Sequence, residues 1–150
     1  MSIRPFDWHD LPLLYRYRQH GLFLDSTLAF TRGTVLVPTG ALLAYFAPAT
    51  GIFTYVGNPG SGDGPSLVGQ VQHTAGATFA RLTFLAPEEA VHSVSLPALL
   101  DTITVEIGRR GAFHVLAEAA EGSPAFQALH EAGFAIYARQ RIWRLEGEPQ

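Results

Sequence analysis

Hydrophobic and polar positions along this chain switch between two periods, and the switches mark out its elements. Residues 3–6, Ile-Arg-Pro-Phe, read as a short opening strand. Leu11, Leu14 and Tyr15 then recur at helical spacing, with Arg16 and Gln19 turned elsewhere. Asp7 or Asp10 can cap that helix, Pro12 fits its first turn, and Gly21 is a natural stop. Residues 22–30 are apolar without a clean period and predict an irregular or second helix, while residues 41–46 suit either helix or strand. The middle third is rich in β-formers. Residues 51–57, 67–72 and 79–85 read as three strands of an antiparallel meander, separated by the turn-prone residues 58–65 (Asn-Pro-Gly-Ser-Gly-Asp-Gly-Pro) and the short turn 74–77.

The last third returns to helical spacing. Over residues 96–110, Leu99, Leu100, Ile103 and Ile107 share one face and Asp101 and Glu106 point outward. Ser95 can cap this helix, Pro97 suits its first turn, and Gly108 or Gly111 ends it. Residues 113–117 predict a strand. A helix follows, starting at Ser123-Pro124, carrying Phe126 and Leu129 on one face and ending at Gly133. Residues 134–145 predict a long final strand, and residues 146–150 a frayed tail. Strand–helix–strand–helix–strand in this order implies crossover connections packed on a sheet.

Composition narrows the class. A chain of 150 residues that is 47% hydrophobic suits a single domain with a proper core, spanning residues 1–150. It has no cysteine, which excludes disulfides, thiolate metal sites and a thiol nucleophile. A formal charge of −3, with every basic residue an arginine and none clustered into a stripe, offers no field for nucleic acid. The start lacks a signal-peptide core, and Pro38, Gly40, Pro48 and Gly51 interrupt the apolar stretches well short of the roughly 20 residues of a spanning helix. The expectation is a cytoplasmic protein that engages neither membrane nor nucleic acid. His130-Glu131 begins like a zinc-protease helix, but Phe134 stands where the second histidine belongs, and the remaining histidines lack ligand spacing, so no metal site is expected.

The order of elements, with a C-terminal helix Ala125-Phe126-Gln127-Ala128-Leu129-His130-Glu131-Ala132 closing on Gly133-Phe134 and an opening Ile3-Arg4-Pro5-Phe6 before an acidic helix start, resembles the Gcn5-related N-acetyltransferase (GNAT) superfamily. The resemblance implies an α/β (α+β) fold with a mixed, mostly antiparallel sheet of about six or seven strands and about four helices. It also implies acetyl-CoA as cosubstrate and transfer of its acetyl group by direct attack of an amine. The family's central motif follows the last meander strand: an arginine or glutamine and two glycine-type positions open a helix, so that backbone N–H groups and the helix dipole hold a pyrophosphate.

Counted from Leu85-Ala86-Pro87, the arginine position falls on Ala90 and the glycine positions on Ser93 and Ser95. The resemblance thus assigns the loop Ala90, Val91, His92, Ser93, Val94 and Ser95 to the cofactor, with backbone contacts to pantetheine from Phe84 and Leu85. Serine is small and donates a hydrogen bond, and a protonated His92 can partly replace the missing cation. The tyrosine that serves as general acid in the family aligns with Leu129, which leaves His130 as the nearest proton donor. Glu118 is the nearest candidate general base, ahead of Glu88 and Glu89 at the loop. The lost arginine, glycines and tyrosine equally suit a second function class, a non-catalytic module of the same fold that binds another ligand or a protein. The long last strand with Ile142-Trp143 suggests a homodimer under either reading.

Overall fold

The computed structural model describes residues 1–30, 33–60 and 64–141. Eleven elements follow in chain order: β1 (Ser2–Pro5), α1 (Leu11–Tyr17), β2 (Leu22–Phe23), α2 (Ser26–Phe30), α3 (Gly33–Phe46), β3 (Ile52–Asn58), β4 (Leu67–Gln72), β5 (Phe79–Ala86), α4 (Leu96–Arg109), β6 (His114–Leu116) and α5 (Pro124–Glu131). The strands make a six-stranded sheet in the order β1-β3-β4-β5-β2, with β6 also on β5. Every pairing is antiparallel except β5 with β6, which is parallel. This is the mixed, mostly antiparallel α/β sheet that the residue pattern implies.

Alternation along the meander builds two cores, one on each face of the sheet. On one face Leu67, Val71, Ala80, Leu82 and Leu85 meet Leu96, Leu99, Leu100, Ile103 and Ile107 of α4 and Leu129 of α5. On the other, Val56, Val68, Phe84 and Ala86 meet Phe6, Leu14, Tyr17, Val37 and Ala41. Gly69 sits where α4 crosses most closely: a Cβ there would lie 2.6 Å from Ile103 Cδ1.

β5 does not alternate throughout. Gln70 opposes Phe84 and Val71 opposes Leu82, so Thr83 is an extra residue, a β-bulge. The bulge shifts parity by one, which is why Leu82 and Leu85 share the α4 face. The Thr83 hydroxyl donates to the Gln70 carbonyl (3.0 Å).

Several expectations are corrected. Residues 22–30 form a two-residue strand followed by the short helix α2, which Asp25 caps by accepting the amides of Thr27 (2.9 Å) and Leu28 (3.3 Å). Residues 41–46 are helical, the last turns of α3, even though Pro38 lies inside that helix. Residues 134–141 form no strand, and residues 142–145, with Ile142 and Trp143, lie outside the described residues. At α4 the Ser95 side chain makes no capping bond; the Ser93 hydroxyl instead accepts the Ser95 amide (3.2 Å). The expected cap is present at α5, where the Ser123 hydroxyl accepts the Phe126 amide (3.1 Å). No helix among the described residues is long and apolar enough to cross a membrane.

Candidate active site

The parallel pair sets the geometry of the site. Phe79, Ala80 and Arg81 of β5 stand in register with His114, Val115 and Leu116 of β6. β6 ends there, while β5 runs on to Ala86 and delivers the chain to the 3₁₀ turn Glu88–His92 and the start of α4. Beyond Arg81 the two strands therefore part. A cleft of about 1100 Å³ opens between this divergence, the 3₁₀ turn, α5 and residues 134–140. Its walls are largely apolar, with Leu24, Val91, Val115, Phe126, Leu129 and Phe134 among them. Glu88, Glu89, Glu118, Glu121, Arg81, Arg139, His92 and His130 supply its polar groups.

Both predicted catalytic residues, Glu118 and His130, share this cleft. Glu118 follows β6. Its carboxylate accepts the Ser26 amide through Oε2 and the Gln140 side-chain amide through Oε1 (2.9 Å). Burial pushes its pKa up, but the bonds from Ser26 and Gln140 and the charge of Arg81 outweigh burial and hold the carboxyl below its ordinary range. His130 lies in the last turn of α5, exposed, its ring parallel to that of Phe126 with centroids 6.3 Å apart. A backbone carbonyl only accepts, so His130 Nδ1 donates to the Phe134 carbonyl (3.2 Å), which leaves Nε2 free to exchange a proton. At the position of the family's tyrosine, Leu129 is buried in the core.

The phosphate-loop residues fare differently. Val91 and His92 reach the cleft, Ala90 is buried against the α4 core, and Val94 is 96% exposed. Much of the loop's backbone is already bonded. The Ala90 amide donates to the Pro87 carbonyl (2.9 Å), that of Ser93 to Ala90 (3.0 Å) and that of Leu96 to Ser93 (3.1 Å). The Ser95 amide goes to the Ser93 hydroxyl. An anion would have to break these bonds, and it would meet Glu88 and Glu89 just ahead of the loop.

The pantetheine edge is occupied as well. Leu22 pairs with Leu85 and Phe23 with Phe84, antiparallel, on the edge of β5 that β6 has vacated. The Leu24 amide donates to the carbonyl of the bulged Thr83 (2.9 Å), and the Glu88 amide donates to the His20 carbonyl (2.6 Å). From the other side the Glu118 amide donates to the Leu24 carbonyl (2.8 Å). Residues 20–24, with the strand β2 at their centre, thus lie between β5 and the chain that follows β6. Gly21 permits this close approach: a Cβ there would stand 2.2 Å from Phe84 Cζ and 3.0 Å from the Leu85 carbonyl oxygen. This segment is what reading the residues missed. The run Leu22-Phe23-Leu24 before a capping Asp25 is its local trace, but its partners lie far along the chain.

With its mixed sheet and one parallel pair that splays over a helix start, the chain has the GNAT fold. Solved structures of that fold match it over nearly its whole length. The aminoglycoside N-acetyltransferase AAC(6')-Iy, solved with a CoA-linked bisubstrate analogue, superposes with a TM-score of 0.65 at 12% identity, over 97% of this chain and 98% of that one. An acetyltransferase of Trypanosoma brucei gives 0.59 at 19% identity over 96% and 99%. The protein TTHA1254 of Thermus thermophilus gives 0.59 at 21% identity over 99% and 100%. These identities make the likeness one of fold. No family profile matches the sequence, and no curated protein matches it.

Proposed function

We propose that this chain is an acyl-CoA-dependent N-acyltransferase that moves an acetyl group from acetyl-CoA to an amine by direct attack. The observation that carries this reading is the parting of β5 and β6 over a cleft whose walls hold both a carboxylate and an imidazole. Supporting it are solved proteins of the same fold, one of them bound to CoA.

The edge of β5 at Phe84 and Leu85 takes the pantetheine, and the loop from Ala90 through Val91, His92, Ser93 and Val94 to Ser95 faces the phosphates. Glu118 accepts the proton of the attacking amine, and His130, entering the step as the imidazolium with a proton on each ring nitrogen, gives the one on Nε2 to the leaving thiolate. Holding amine and thioester together in a largely apolar cleft supplies much of the acceleration. When bound, acetyl-CoA provides the activated acyl group; the residues of the chain bind, orient and move protons.

Specific observations favour a second reading, a non-catalytic module that keeps the fold and binds something else in the cleft. The amides of Ala90, Ser93 and Ser95 are satisfied internally, and Glu88 and Glu89 oppose a pyrophosphate. One experiment separates the two readings. The protein is incubated with acetyl-CoA and a panel of primary amines while free thiol is followed, and CoA binding is titrated by calorimetry alongside. Thiol release that depends on the amine supports the transferase. No heat with CoA up to millimolar concentration and no thiol release leaves the binding module.

A further inference from the structure

We infer that residues 20–26 are a removable strap laid over the donor edge of β5, and that the chain binds acyl-CoA only in the state in which this strap has lifted. The inference rests on the transferase reading above and deepens it.

The strap fills the place of a third strand. It bonds to β5 through the Leu22–Leu85 and Phe23–Phe84 pairs and the Leu24 amide, and to the chain beyond β6 through the Leu24 carbonyl. A pantetheine chain laid along β5 needs the same backbone groups, so the strap and the donor exclude one another. The attachment is also of a kind that can be undone. β2 is only two residues long; Leu22 and Phe23 are half-buried at the margins of the two cores, Phe23 beside the Phe84 ring, and the rest of the attachment is backbone hydrogen bonding at an edge. Leu24 is the exception, seated in the α4-side core. It also lines the cleft, so withdrawing it enlarges the cleft with an apolar hole that a pantetheine or acyl chain can fill.

The far end of the strap carries a polar latch. Asp25 lies 3.7 Å from Arg81, and the Ser26 amide is bound by the Glu118 carboxylate. The latch occupies the very carboxylate that the reaction needs as base. Lifting the strap therefore exposes the donor edge and frees Glu118 in the same motion, so that the base is released only when the donor can enter.

The chain has no cysteine, so a Leu22→Cys/Leu85→Cys double variant carries a single possible disulfide between two directly opposed residues of an antiparallel pair. Oxidation locks the strap; reduction releases it. CoA binding by calorimetry and amine-dependent thiol release are measured in both forms. The expected result is CoA binding weakened by at least about tenfold in the oxidised form and recovered on reduction. Asp25→Ala, which weakens the latch without touching the β5 edge, is expected to bind CoA more tightly than the wild type. Equal binding by oxidised and reduced forms, or no gain in Asp25→Ala, overturns the strap and leaves the transferase reading standing. If no form binds CoA, the transferase reading falls and the strap falls with it.

Discussion

The first half of β5 and its second half present the same backbone edge to different partners. From Phe79 to Arg81 the edge holds β6 in parallel register, and the side chains beneath it, Ala80 and Leu82, are fully buried against α4. From Thr83 onward the edge holds residues 22–24 through two residue pairs, a few backbone bonds, the Phe23–Phe84 ring contact and the buried Leu24, with a carboxylate latch just beyond at Ser26. The bulge at Thr83 divides the two regimes. The comparison teaches that one strand can serve as scaffold and as ligand edge, the difference lying in the partner each part holds, since Phe84, Leu85 and Ala86 are as buried as Ala80 and Leu82.

The largest expected effect tests the scaffold half. Leu82→Ala opens a cavity in the α4-side core and is expected to cost about 2–5 kcal/mol of stability, read by urea unfolding. The same truncation on the strap, Leu22→Ala, is expected to cost about 1 kcal/mol or less, because that side chain is only half-buried. Equal costs would erase the distinction between the halves. The next effect is on catalysis. His130→Ala is expected to lower kcat about 100-fold while leaving unfolding nearly unchanged, since the residue is an exposed proton donor. A stability loss with unchanged kcat would reduce His130 to a helix-end contact.

Gly21→Ala sharpens the comparison from the strap side. Its methyl would meet the buried Phe84 ring, so the strap must shift. About 1–3 kcal/mol of destabilisation is expected, together with faster hydrogen exchange at the Leu24 amide. Protection unchanged from wild type would show that the strap tolerates the methyl without moving.

The smallest effect is electrostatic. The Glu118 carboxyl is held below its ordinary range in the fold, so it stabilises the protein above the unfolded carboxylate pKa, and that contribution is lost as pH falls through the lower folded value. Glu118→Gln is therefore expected to be about 1 kcal/mol less stable than wild type at neutral pH, with the gap closing in acid. Unfolding at a series of pH values reads it; a gap that persists below the carboxylate range would assign the loss to packing. Asp10 is the internal control. Burial raises its pKa, the bonds from Arg4 and the Asp7 amide lower it further, and the net shift is downward, so its own acid loss persists in the variant.

The contrast between the halves also explains what can be read from the residues alone. Leu99, Leu100, Ile103 and Ile107 announce α4 because a helical period coincides with burial, and all four are in the core. The meander strands are legible for the same reason at period two. The strap is not, because two residues carry no period and its register is set by partners some sixty positions away. The bulge at Thr83 hides inside what reads as plain alternation, since the apolar residues around it suit either parity. Glu118 and His130 can be named by their place in the element order, but the bond that Glu118 accepts from Ser26, far back along the chain, depends on tertiary placement. The phosphate loop shows the opposite case. Its spacing survives in the residues, yet its amides turn inward in the fold.

Hydrogen exchange of the wild-type protein, followed residue by residue with and without saturating CoA, tests the central claim most directly. The account predicts that with CoA the amide of Leu24 loses protection, while the paired amides of β3 and β4 do not change. Binding of CoA with the Leu24 amide still fully protected would show that donor and strap occupy different places, and would contradict it.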